Sequence, residues 1–121
     1  NNKGLESTII DHFGRAKYFM FITLNGHEVE SFYVKKNPYT KKESRAGLLM
    51  AHEVVKENVD VLITRQIGEI SFHTLRDHLI EVYLTDKNKV RDAVEEFVEG
   101  RLKPLGKPTR KIGEEQFHRK T

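Results

Sequence analysis

The chain of 121 residues has no cysteine. That excludes disulfides, thiolate nucleophiles and iron–sulfur clusters held by cysteine. A soft cofactor would have to be held by histidine, methionine or backbone groups. No apolar run approaches the ~20 residues that span a bilayer as a helix. The start, Asn1-Asn2-Lys3-Gly4, holds no leader pattern. A polar start without methionine gives the expectation of a segment cut from a longer protein. There is no phosphate-binding P-loop, no complete Gly-x-Gly-x-x-Gly and no Ser/His/Asp arrangement. The chain is expected to be cytoplasmic and not an enzyme.

What is present suits one well-solvated domain with a single core: 37% apolar and 32% charged residues. The net charge of +3 is unevenly placed. Residues 101–121 carry seven Lys/Arg against two Glu, and residues 1–100 carry fourteen against sixteen Asp/Glu. The basic end could bind nucleic acid or anionic lipid, but a solvated end explains it as well, and nucleic acid is not the expected partner.

The near-continuous apolar run Tyr18–Leu24 and the mixed run Glu28–Val34 flank Asn25-Gly26. Asn-Gly is a strong hairpin signal, so the two runs are expected to pair antiparallel about it through a type I′ turn. The first reads as an interior strand and the second as an edge. Asn37-Pro38 breaks the sheet, and Ser44 is placed to cap a helix running to about Glu57. Val59–Thr64 reads as a buried strand, Ile70–His78 as a helix and Glu81–Leu84 as another strand. Val90, Ala93, Val94, Phe97 and Val98 fall at helical spacing, with Gly100 as the stop. A hairpin followed by alternating helices and strands implies an α/β domain with a parallel portion over residues 1–102. Pro104, Gly106 and Pro108 introduce a basic, irregular tail over 103–121.

The stretch Asp11–Phe19 is the first candidate site. His12 and Arg15 can each contact an anion, and His12 can also ligate a metal. Gly14 permits backbone angles closed to other residues. An ordinary turn ahead of a strand would use the same residues.

His12-Phe13-Gly14-Arg15-Ala16 with Tyr18-Phe19, Asn37-Pro38, Ala46-Gly47, Val59–Ile63, Ile67-Gly68, Val82-Tyr83 and Phe97–Leu102 form an ordered series. Over about residues 7–102 this series resembles the dinitrogenase iron–molybdenum cofactor biosynthesis family, which includes NifX-like proteins and the C-terminal part of NifB. The resemblance implies a ribonuclease-H-like mixed sheet, with an antiparallel hairpin, parallel strands and helices on both faces. It implies binding or carrying of an iron–sulfur/molybdenum-type cofactor or another anionic ligand, and cofactor-biosynthesis proteins as partners. Related domains are appended to cation-efflux transporters, and Asn37-Pro38-Tyr39 and Gly68–Leu75 look similar to that version. The alternative reading is therefore a cytosolic regulatory or dimerisation domain, with the parent transporter as partner.

The chain departs from the family at its start. Members usually place a short apolar strand ahead of the His-Phe-Gly-Arg loop, in the middle of the sheet. Here residues 1–6 are polar, and only Thr8-Ile9-Ile10 could substitute. The first central strand is expected to be missing or truncated. Arg110–Ile112 or a partner chain could fill its place, and an open slot would favour a homodimer or a strand-exchanged oligomer.

In the family's strand order, Asp11–Arg15 and Arg65–Gly68 lie side by side at the switch point where open α/β sheets bind ligands. The expected cofactor-binding residues are His12, Gly14, Arg15, Arg65 and Gly68. The basic loop Lys41–Arg45 could close over that point. His52, His73 and His78 lack zinc-type spacing and read as structural or surface residues. Asp60 has no carboxylate neighbour in sequence for two-metal nuclease chemistry and is expected inside a buried run.

Overall fold

The structure, a computed structural model, describes residues 4–10, 13–41 and 45–108. Two strands open it, β1 (Tyr18–Asn25) and β2 (Glu28–Lys36), paired antiparallel. The turn lies one residue later than the sequence predicts. Asn25 pairs with Glu28, so Gly26 and His27 are the central residues. Positive φ occurs at Gly26 and not at His27, which fits a II′ rather than a I′ turn. The register shifts between Thr23 and Leu24, leaving Glu30 as an extra residue on β2. β2 is an exposed edge, as its charged residues predict.

Helix α1 (Ala46–Lys56) begins after Arg45, which sits in the left-handed region at φ 64° and makes no side-chain cap. The expected cap, Ser44, lies outside the described residues. Strand β3 (Val61–Thr64), helix α2 (Glu69–Asp77) and strand β4 (Glu81–Leu84) follow, with β3 and β4 paired parallel. Asp60 precedes β3 and is exposed, which corrects its expected place in a buried strand. The strand starts late because Asn58, at φ 57°, ends the α1 cap and Val59-Asp60 form the connector. Helix α3 (Val90–Val98) completes the domain and stops at Gly100, at φ 73°.

Strand alternation places the helices. Val82 of β4 is fully buried in one core with Met50, Ala51 and Val54 of α1 and Phe72 and Leu75 of α2. Its neighbour Tyr83 points the other way and meets Phe97 of α3 edge to face, 5.1 Å between ring centres. Helices α1 and α2 therefore cover one face, and α3 covers the other. The outer edge of β4 is occupied: Pro104 bridges to Tyr83, and Leu105 N–H donates to Val82 O at 2.6 Å.

The expected antiparallel and parallel pairs are both present, but as two separate two-stranded ladders. The break falls between β1 and β3, where the missing central strand was expected. Gly4–Glu6 form a 3-10 turn, and Thr8 bridges to Lys89. Ile9 N–H donates to Asn88 O. Thr8-Ile9-Ile10 thus lies against the entry to α3 rather than between the ladders. Arg110–Ile112 lies outside the described residues.

Candidate functional site

The two loops named from the sequence do meet. Phe13–Arg15 form a 3-10 turn, and Phe13 N–H donates to Gln66 O at 3.3 Å, just beyond the carboxyl end of β3. Thr64 Oγ1 donates to the same carbonyl at 3.1 Å. Phe13 anchors the turn by burying its ring in the core, edge to face with Phe19 at 5.2 Å. Ile67 anchors the second loop in the same core.

Gly14 has a packing role. A β-carbon on it would lie 2.7 Å from Gly47 Cα and Gly47 N, and one on Gly47 would lie 2.5 Å from Ser71 Oγ. Three small residues thus let the Phe13–Arg15 turn, the start of α1 and the start of α2 approach closely. Gly68 holds the N-cap position of α2 in extended backbone, φ −78°. It makes no side-chain cap to the first N–H groups of α2, and Glu69 lies in the first turn.

The arginines differ. Arg15 is exposed and donates Nη1 to Thr40 O at 3.3 Å, which links the turn to the Pro38–Lys41 loop. Arg65 turns towards the β4–α3 connection. Its Nη1 reaches Asp86 O at 2.9 Å, Lys87 O at 2.8 Å and Asn88 Oδ1 at 2.9 Å. Arg65 braces that connection and shapes the site from behind. His12 lies outside the described residues, as do Lys42, Glu43 and Ser44 of the basic loop.

Asn37 organises the site and was read from the sequence only as a sheet breaker. It is 1% exposed. Its amide donates to Gly14 O at 3.1 Å and Ala16 O at 2.8 Å, and its Oδ1 accepts from Tyr39 N–H at 2.8 Å. Both ends of one side chain are used, so the Phe13–Arg15 turn and the Pro38–Lys41 loop are fixed to each other. The Asn-Pro pair carried the signal: an Asx-type turn needs an Asn oxygen facing an N–H two residues on.

Two of the other histidines have neighbours away from these loops. His78 Nδ1 lies 2.9 Å from Thr74 O, and His73 meets Phe72 edge to face. Among the described residues no group of three His, Asp or Glu converges to hold a metal. Among the same residues, no helix is long and apolar enough to cross a membrane.

Two surface carboxylates are perturbed outside the loop cluster. Lys35 and Tyr33 of β2 both bond Glu57 at the end of α1, Lys35 Nζ at 2.6 Å. The Lys35 bond, then the Tyr33 bond, holds the Glu57 carboxyl below its usual range. Arg91, then Lys89, does the same to Glu6.

Comparison with known proteins gives the same architecture. The apo form of the orange protein from Desulfovibrio gigas superposes with a TM-score of 0.78, at 24% identity over 90% of both chains, a likeness of fold. A Thermotoga protein provisionally called NifB, of the DUF35 family, superposes with a TM-score of 0.73 at 29% identity, again over 90% of both. An uncharacterized protein of Methanocaldococcus jannaschii is 29% identical over 100 residues, 83% of this chain and 86% of that protein. A family model matches residues 1–100, and on that match the chain belongs to the dinitrogenase iron-molybdenum cofactor family.

Proposed function

We propose that the domain binds an anionic metal-cluster cofactor of the iron–molybdenum type, and carries it rather than transforming it. The observation that supports this reading most is the Phe13 N–H to Gln66 O bond. It joins the loop that carries Arg15 to the loop that enters α2, in a chain of this family. Arg15 supplies an exposed guanidinium suited to oxyanion or sulfide-rich faces. The α2 entry supplies backbone N–H groups and the positive end of a helix dipole.

The donor set fits recognition of a charged surface better than ligation of a bare ion. The chain has no thiolate. His12 is the one imidazole in the motif, and it would provide the single direct ligand. Gly14, Asn37 and Arg65 act by position: Gly14 by close packing, Asn37 by fixing the loops, Arg65 by bracing residues 86–88. The cluster itself would supply the redox chemistry when bound, and these residues would hold and orient it.

Anaerobic incubation with extracted iron–molybdenum cofactor, followed by gel filtration and metal analysis, tests the reading. Metal should co-elute with the protein, and His12→Ala together with Arg15→Ala should abolish co-elution while the fold persists by circular dichroism. Undiminished co-elution in that double variant contradicts the assignment.

A further inference from the structure

A sheet edge is a row of main-chain donors and acceptors, and the edges of the two ladders differ in what meets them. β1 and β3 line a cavity of about 570 Å³ between the ladders. The outer edge of β4 is closed by Pro104 and Leu105. The outer edge of β2 is open. Among the described residues β1 is the one strand that pairs with β2, and no other backbone bond reaches Glu28–Lys36. β2 is also the longest strand, and seven of its nine residues are exposed. Two aromatic residues lie in its middle, Phe32 at 44% and Tyr33 at 48% exposure.

Charge is divided along β2. Glu28 and Glu30 stand at its start, Lys35 and Lys36 at its end. Lys35 is held by Glu57. Among the described residues, Glu28, Glu30 and Lys36 pair with no opposite charge. Lysines and a bulge ordinarily protect an edge from other strands. Here the acidic start answers the basic end, so an antiparallel copy of β2 is matched in charge. The two faces of the strand restrict the register. A two-fold axis that joins two β2 strands in one sheet keeps each side chain on its own face, so it passes beside a residue and not between two. Beside Tyr33, it sets Glu30 opposite the partner's Lys36 and Phe32 opposite the partner's Val34, each twice. The bulge at Glu30 lies at the end of that run and leaves residues 31–36 regular. Beside Phe32, it sets Glu30 opposite the partner's Val34. Beside Val34, it sets Lys36 opposite the partner's Phe32. Both of these place a charge against an apolar side chain.

We infer that the outer edge of β2 is a self-association surface, and that two copies of this chain pair antiparallel through residues 30–36 about Tyr33. The two hairpins then form one four-stranded antiparallel sheet in the order β1-β2-β2-β1. Main-chain bonds join the strands, the Phe32–Val34 pairs bury apolar surface, and the Glu30–Lys36 pairs set the register. The run ends at Asn37, because Pro38 has no N–H to donate. About this axis the two copies of Asn37 stand about 27 Å apart along the strands, at ~3.4 Å per residue. Both loop clusters therefore stay open, and the interface does not depend on what they bind.

Sedimentation equilibrium and amide exchange on residues 1–121 test this as concentration rises to about 1 mM, where a small interface still associates. A single monomer–dimer equilibrium should appear, with exchange slowing at residues 30–36 as the dimer fills. Glu30→Lys and Lys36→Glu should each weaken the dimer by about tenfold or more, because like charges then face each other twice. Mixed in equal amounts, the two variants should regain the original affinity, since every facing pair is again of opposite charge. That recovery separates a lost interface from a lost fold. A monomer at every concentration would overturn the inference. So would a dimer that either variant leaves intact, or a mixture that associates no more tightly than the variants alone.

Discussion

Asn37, Gly14, Gly47 and Ser71 show how few side chains assemble the loop cluster. Asn37 satisfies two carbonyls and one N–H from a fully buried position. The glycines act through the space that they leave. Gly47→Ala should destabilise the domain by about 1–3 kcal/mol, because its β-carbon meets Ser71 Oγ. Ser71 Cβ lies 3.8 Å from that point, an ordinary contact. Adding Ser71→Ala should therefore restore most of the loss, as read by urea denaturation. A double variant no more stable than Gly47→Ala would show that the contact is not the cause. Of these four residues, the sequence marked Gly14 for its freedom at the turn, because a glycine beside charged residues signals a loop. The partners that make it necessary lie 32 positions or more away, beyond what a local pattern carries. Arg65 has the same history: its charge is legible, but its partners at 86–88 are set by tertiary packing.

The elements themselves were largely legible, because hairpins and amphipathic helices depend on neighbours in sequence. Phe97 with Tyr83, and the stop at Gly100, follow from helical spacing and a glycine beyond it. The hairpin turn moved by one residue because pairing of the two strands, with Glu30 as a bulge, outweighed the Asn-Gly preference. Three helices end on a left-handed residue: Asn58, Leu79 and Gly100. Only Leu79 is unexpected. Ile80 N–H donates to Leu75 O and Leu79 N–H to Arg76 O, the Schellman pattern, with Ile80 and Leu75 both in the core. Leu79 itself is 89% exposed, so its side chain contributes no packing to offset the backbone cost. Leu79→Gly should raise stability by about 0.5–1 kcal/mol. A lower melting temperature for this variant would contradict that account of the α2 end.

At the scale of the whole molecule, two half-sheets share one core and meet at the carboxyl end of β3. The Tyr33–Glu57–Lys35 cluster ties the hairpin to the end of α1. Glu57 titrates below an ordinary carboxyl in the folded state. A carboxylate depressed in this way supports the fold above its unfolded pKa, and that support is lost as pH falls through its folded pKa. The hairpin should therefore loosen from α1 in acid, below the usual carboxylate range. Carboxyl NMR should place Glu57 below a free glutamate, and Lys35→Met should move it back up. An unshifted Glu57 would contradict this.

The central claim is that the loops at the end of β3 form one binding site, and chemical-shift mapping tests it most directly. Backbone amides are recorded during anaerobic titration with the iron–molybdenum cofactor. The largest shifts should fall on residues 13–16, 39–41 and 65–69, with a single saturation curve. Shifts confined to Ala93, Val94 and Phe97 across the β1–β3 cavity, or to residues 103–121, would contradict it.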